Sequence, residues 1–296
     1  MKKLNEISIG FFGTGPLAEE CFSALVTGGV IPKLLITKPD SKIGRNQTLT
    51  PPTIKTLAEF YKVSILQPSS LKNISASDMD LLLEADFDIF IVASYGMIIP
   101  TNILELPAFG TINVHPSTLP KYRGPTPIES ALLEGSKDFG VSIMFLDGEI
   151  DHGPLIVQKS YTDFIDLPDA TTEVFERLAG IHGADLLLAG TLEDFVNGAI
   201  SVVEQDHTSA TFTRKLLKHD GEVKLSDKLS QILNVYKACT PWPGCYFMFN
   251  HKDKILRIKI SEMKVHDDDT ITIEKVIPEG KKEMDFESFK RGYMKA

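Results

Sequence analysis

Thr111-Ile-Asn-Val-His-Pro-Ser-Thr-Leu-Pro-Lys-Tyr-Arg-Gly-Pro125 is the stretch on which the reading of this chain turns. Its first residues alternate, with Ile112 and Val114 set between Asn113 and His115. A strand puts alternate side chains on opposite faces, so Asn113 and His115 share one face, about 7 Å apart. Pro116 ends the strand, because it brings no N–H to a ladder. A carboxamide and an imidazole side by side at a strand end make a donor pair. Such a pair can hold the oxyanion that forms when a carbonyl carbon is attacked. The same short motif also reads as a strand carrying one satisfied structural histidine.

The second informative stretch is Phe145-Leu-Asp-Gly-Glu-Ile-Asp-His-Gly-Pro154, behind an apolar run from Val141 to Leu146 that reads as the next strand. An acidic loop at a strand's C-terminal end can carry a carboxylate back over Asn113 and His115. Asn, His and Asp then meet at one edge of a sheet, where open α/β proteins place their sites.

Working outward, Ile7 to Phe12 predicts a first strand, closed by Gly13-Thr-Gly-Pro-Leu-Ala18. This nearly spells the dinucleotide fingerprint, a glycine-rich turn opening a helix. The acidic partner of that fingerprint is misplaced, however: Asp40 lies in a turn beyond the second strand, in Lys38-Pro-Asp. A tight strand-to-helix turn needs the same glycines without any dinucleotide. Lys33–Thr37, Val63–Leu66 and Pro154–Tyr161 read as further strands, Leu17–Val26, Thr53–Tyr61 and Thr171–Leu188 as helices. Phe87 to Ala93 is a continuous apolar run, as expected of a parallel strand buried on both faces. Alternating strands and helices predict an α/β fold, a Rossmann-like open parallel sheet. Its domain spans 1–190, and 191–206 reads as a linker. Residues 207–296 differ in texture: a helix over Ser226–Cys239, then short strands with turn signals, which suggest a small antiparallel barrel. Trp242, in Pro-Trp-Pro, reads either as a packed anchor or as a platform for a base.

With 296 residues, 43% apolar and 24% charged, the chain has an ordinary globular composition and ample length for a buried core. No apolar run reaches the roughly 18 residues of a membrane helix, and no cleavage site follows the first lysines. A cytoplasmic protein is expected, without membrane attachment, and a monomer. Cys21, Cys239 and Cys245 are scattered and odd in number, which argues against a disulfide frame and against a zinc site. The net charge of −9 is unevenly spread: residues 1–206 carry 14 Lys and Arg against 27 Asp and Glu, residues 207–296 carry 17 against 13. A cationic last third on an acidic protein suggests a second domain that tolerates a polyanion. Chance clustering of surface charge gives the same count.

Asn-Val-His-Pro-Ser-x-Leu-Pro-x-Tyr-Arg-Gly-x-x-Pro, followed by Asp-x-x-x-Asp-x-Gly, resembles the folate-dependent formyltransferases. The likeness extends to Pro39-Asp…Gly44-Arg45…Pro52-x-x-Lys55, to Pro-Trp-Pro and to the tail from Pro278 to Gly292. That span of the whole chain matches the branch that acts on methionyl initiator tRNA. The resemblance implies transfer of a formyl group from 10-formyltetrahydrofolate to the α-amino group of methionine on that tRNA, with no metal. It implies Asn113, His115 and Asp151 as the catalytic set, and Ser117, Thr118, Leu119, Pro120, Tyr95 and Gly96 as folate contacts. It implies Arg45 and Lys215 as tRNA contacts and an oligonucleotide-binding-type (OB-like) barrel over 207–296. Thr118, His152, Asn46 and Gln47 depart from the residues usual in the family. Transfer to a nucleotide sugar or to glycinamide ribonucleotide, and hydrolysis of the formyl donor, are the alternatives. A non-catalytic RNA- or folate-binding protein is a third class, against which the intact Asn113, His115 and Asp151 argue.

Overall fold

The computed structural model describes residues 1–43, 47–161, 170–252 and 254–294. Two compact units are present. The first comprises Met1–Pro125, Gly140–Tyr161 and Glu176–Phe212, the second Thr126–Phe139, Thr162–Phe175 and Thr213–Ala296.

In the order of the chain, β1 (Ile9–Gly13) leads to α1 (Pro16–Thr27) and β2 (Leu34–Ile36). A short hairpin of β3 (Ser41–Ile43) and β4 (Thr48–Thr50) precedes α2 (Thr53–Phe60), β5 (Ser64–Leu66), α3 (Ala76–Glu84) and β6 (Ile89–Ala93). Then come α4 (Thr101–Leu104), β7 (Thr111–His115), α5 (Pro127–Glu134), β8 (Phe139–Phe145), β9 (Leu155–Tyr161), α6 (Thr172–Leu186) and α7 (Leu192–Val196). Seven strands form one sheet in the order β5-β2-β1-β6-β7-β8-β9. β5, β2, β1, β6 and β7 pair in parallel.

Every residue of β1, β6 and β7 is buried at the centre of the sheet; β1 and β6 are apolar on both faces, while β7 turns Thr111, Asn113 and His115 to one of them. Phe12 packs edge-on against Phe90 and Tyr95 within one cluster that also takes in Ile36, Leu66 and Leu82. The glycine-rich turn after β1 has a packing explanation. A side chain at Gly13 would meet the Ala18 methyl at 2.6 Å, so glycine lets α1 close onto the strand.

β8 departs from an all-parallel sheet. It runs antiparallel to β7, with Ile112 opposite Phe145 and His115 opposite Ser142. The connection from β7 to β8 thus begins and ends at the same end of the sheet, and no crossover occurs. Leu146, just past β8, is back at the start of β7 and donates its N–H to the Thr111 carbonyl at 2.8 Å. The acidic loop must therefore double back to reach Asn113. The stretch read as a linker contains a helix, α7, and a buried side chain, Gln205.

The second unit is antiparallel. α8 (Leu229–Cys239) precedes β10 (Tyr246–His251), β11 (Lys254–Val265), β12 (Ile271–Pro278) and β13 (Met284–Asp285), with α9 (Phe286–Phe289) behind them. The described strands form a four-stranded sheet in the order β10-β11-β12-β13, bulged in β11 around Ser261. Ile232 and Tyr236 of α8 pack with Phe247, Ile258, Ile260 and Phe289 as its core. The packed-anchor reading of Trp242 does not hold: the residue is 57% exposed. All three cysteines are free and buried, and burial pushes the Cys21 thiol up to about 12.

Candidate active site

The exits of β6 and β7 lie side by side, with Ala93 opposite Val114. Asn113 and His115 stand at that edge on one face of β7, both buried. Asp151 comes to them from the loop between β8 and β9. It adopts a left-handed backbone, φ 45°, unusual for a residue with a side chain and commonest at sites where geometry is fixed by its surroundings.

Asn113 Nδ2 donates to Asp151 Oδ1 at 3.4 Å, and His115 Nδ1 lies 3.7 Å from Asp151 Oδ2. The Gly124 N–H donates to the same Oδ2 at 2.7 Å. His115 Nε2 is 3.0 Å from the Tyr122 carbonyl oxygen, which can only accept, so Nε2 carries a proton. The neutral ring therefore has its lone pair at Nδ1, the atom facing Asp151. One amide donor, one proton-accepting ring nitrogen and one carboxylate converge at a strand exit, a set suited to acyl transfer.

Ser117 to Pro120 leave directly from His115, and the protein's own groups hold this turn. Ser117 Oγ donates to the Lys121 carbonyl at 2.7 Å. Ser142, fully buried on β8, donates to the Ser117 carbonyl at 2.6 Å and accepts from the Leu119 N–H at 3.2 Å. Gln158 Nε2 reaches the Leu119 carbonyl and Ser142 Oγ, both at 2.8 Å. Leu119 is buried, while Thr118 and Pro120 are half-buried, and Thr118 Oγ1 has no hydrogen-bond partner. At the neighbouring exit, Tyr95 is packed in the core with its hydroxyl unpartnered, and burial pushes that phenol up. Gly96 follows with φ 69°. Just beyond it, Met97, Ile98 and Pro100 face Ser69–Lys72 across an open cleft of about 510 Å³.

Asn113, His115 and Asp151 are thus brought together, with Ser117–Pro120 on the same exit and Tyr95–Gly96 on the adjacent one. Lys215 is exposed in the second unit, and Arg45 lies outside the described residues. Reading the sequence missed Gly124, Ser142 and Gln205. Ser142 carried a faint signal, as the one hydroxyl within the apolar run of β8. Among the described residues no group of His, Cys, Asp and Glu has the arrangement of a metal site.

The model of the formyl transferase family matches residues 7–184, and that of the formyl transferase C-terminal domain matches 215–270. A methionyl-tRNA formyltransferase of Listeria welshimeri is 33% identical over 277 residues, 87% of each chain. Among solved structures, a methionyl-tRNA formyltransferase from Clostridium thermocellum superposes with a TM-score of 0.59 at 14% identity, over 92% of this chain and 98% of that one. An N-formyltransferase from Helicobacter canadensis, in complex with folinic acid and dTDP-3-aminofucose, superposes with a TM-score of 0.59 at 14% identity, over 91% and 94%.

Proposed function

This chain belongs to the formyl transferase family, among the methionyl-tRNA formyltransferases, and we propose that it moves a formyl group from 10-formyltetrahydrofolate to the α-amino group of methionine on initiator tRNA. The observation that carries the reading is the convergence of Asn113, His115 and Asp151 at one strand exit, the Asn113 amide bonded to Asp151 and His115 Nδ1 3.7 Å from it.

In this mechanism the neutral amine attacks the formyl carbon, and the carbonyl oxygen becomes an oxyanion. Asn113 donates to that oxygen from Nδ2. His115 donates its Nε2–H to the Tyr122 carbonyl, so a second hydrogen bond, to the oxyanion, comes from Nδ1 when that atom also carries a proton. Asp151 accepts the proton released as the new C–N bond forms. Collapse of the intermediate breaks the bond between the formyl carbon and the folate nitrogen, and the proton passes to that nitrogen. Thr118, with its buried and unpartnered hydroxyl, and Pro120 are the members of the 117–120 turn with surface left for the folate. Ser117 and Leu119 shape the turn behind them, and Tyr95 and Gly96 shape the neighbouring wall. Residues 207–296, with Lys215 and the exposed Trp242, would receive the tRNA together with Arg45.

The test is incubation with 10-formyltetrahydrofolate and each acceptor in turn. Formyl-methionine on charged initiator tRNA is expected. Transfer to a nucleotide-sugar amine at equal or higher kcat/KM, or release of formate without any acceptor, overturns the reading.

A further inference from the structure

The loop between β8 and β9 carries Asp151, and it is braced by a residue of the last segment of the first unit, Glu176–Phe212. Gln205 Nε2 donates to the Asp151 carbonyl at 3.0 Å and to the Gly153 carbonyl at 2.7 Å. Its other end accepts two hydrogen bonds from Arg123, at 3.2 Å from Nε and 2.7 Å from Nη2. Gln205 is 5% exposed and Arg123 3%. The direction of the amide is fixed by chemistry. A guanidinium only donates, so the amide oxygen must face Arg123 and the NH₂ must face the two carbonyls. Both amide hydrogens are used, and a reversed amide would oppose donors to donors and acceptors to acceptors.

The far side of Arg123 is also committed. Its Nη2 lies 2.9 Å from His207 Nδ1, which must accept. The His207 ring stacks on His152 with centroids 4.1 Å apart, and His152 Nδ1 is 2.8 Å from Asp147 Oδ2. Gly153 has no slack: a side chain there would fall 2.1 Å from the Phe145 carbonyl. The brace therefore grips the loop at Asp151, its one non-glycine residue with a left-handed backbone, and again two residues on at Gly153.

We infer that Gln205 is a positioning residue for the transfer: it fixes the backbone on which Asp151 stands, and Arg123 fixes Gln205. The inference rests on the reading of Asp151 as the proton-accepting carboxylate. Displacing a reacting group by about 1 Å costs up to about 100-fold in rate. Gln205→Glu keeps the size and the contact to Arg123 but turns the two donors into acceptors facing two carbonyl oxygens.

The experiment is a double-mutant cycle with Asp151→Asn, read by single-turnover formylation at saturating substrates, with KM values and melting temperatures measured alongside. Gln205→Glu should slow the step about 10- to 100-fold with KM for both substrates within about twofold, and should cost little or nothing further in the Asp151→Asn background. A single variant within about twofold of the native rate, or the same fold-loss in both backgrounds, overturns the positioning role. Native-like turnover by Asp151→Asn alone overturns the underlying reading of Asp151, and the inference with it. Should Gln205→Glu not yield folded protein, Gln205→Asn, with the same amide one methylene shorter, enters the same cycle, and the same results support or overturn the role.

Discussion

In the proposed transfer Asn113 acts through its NH₂ group, of which one hydrogen already points to Asp151 Oδ1 at 3.4 Å. Asn113→Asp is nearly isosteric and replaces that donor with a carboxylate facing another carboxylate. Loss of one oxyanion donor typically costs about 10²–10³ in rate, and the added negative charge should deepen the loss. Single-turnover formylation at saturating substrates checks this, with folate affinity expected to survive, since the 117–120 turn is held by Ser142 and Gln158 rather than by Asn113. A rate within tenfold of native, roughly the worth of a peripheral contact, would remove Asn113 from the oxyanion site. Asn113 and His115 were legible because period-two alternation alone puts them on one face. Gln205 was not legible: its role depends on two backbone carbonyls meeting it from some fifty residues away, and on an arginine that dictates which way its amide points. Nor could a sequence reveal that the Tyr122 carbonyl accepts a hydrogen bond from His115 Nε2–H.

Among elements, β8 matters for what it holds as well as for its direction. An apolar run looks the same whichever way it pairs, so the antiparallel step at β7–β8 was invisible, whereas the buried parallel strands β1 and β6 were plain from their composition. Ser142 on β8 ties the 117–120 turn through two hydrogen bonds and accepts a third from Gln158, which itself reaches the Leu119 carbonyl. Ser142→Ala leaves the Leu119 N–H without that partner in a buried place, at a cost of about 1–3 kcal/mol. The expected signature is a raised KM for the folate with a smaller change in kcat, and a lowered melting temperature. An unchanged KM would mean the turn holds itself. In the second unit, Asp220 accepts from both terminal nitrogens of Arg214 at 2.7 Å and from the Leu217 N–H at 2.6 Å. The Arg214 hydrogen bonds pull its carboxyl from the ordinary 3.8 down to about 2. A carboxyl depressed on folding stabilises the fold above its unfolded value, and that stability is lost as pH falls from about 4 to about 2. Screened by solvent at the exposed arginine, it is worth about 1–2 kcal/mol. Asp220→Asn should thus lower the melting temperature at neutral pH, and the gap to the native protein should close near pH 2. A gap constant down to that pH would show that the ion pair adds nothing.

At the scale of the molecule, charge and fold are arranged unequally. Residues 207–296 carry 17 Lys and Arg against 13 acidic residues, while residues 1–206 are strongly acidic. That asymmetry can be counted directly along the sequence. Such a count is blind, however, to segments that leave one unit and return, as Thr126–Phe139 does in joining the second unit. A polyanion such as tRNA should feel attraction from the last third and repulsion from the rest. Each phosphate neutralised adds about −0.7 to −0.9 to the slope of log affinity against log salt. A surplus of four cations, working against an acidic neighbour, predicts a shallow slope for the intact chain, on the order of −2 to −4. Lys215→Glu, at an exposed position of that cationic stretch, should flatten the slope by about one while leaving the folate KM unchanged. Filter binding of methionyl initiator tRNA across a salt series measures both. A slope near zero would show that the tRNA is held without phosphate contacts. A slope steeper than about −6 would place most of those contacts on residues beyond the cationic third, with the sequence around Arg45 the next to be substituted.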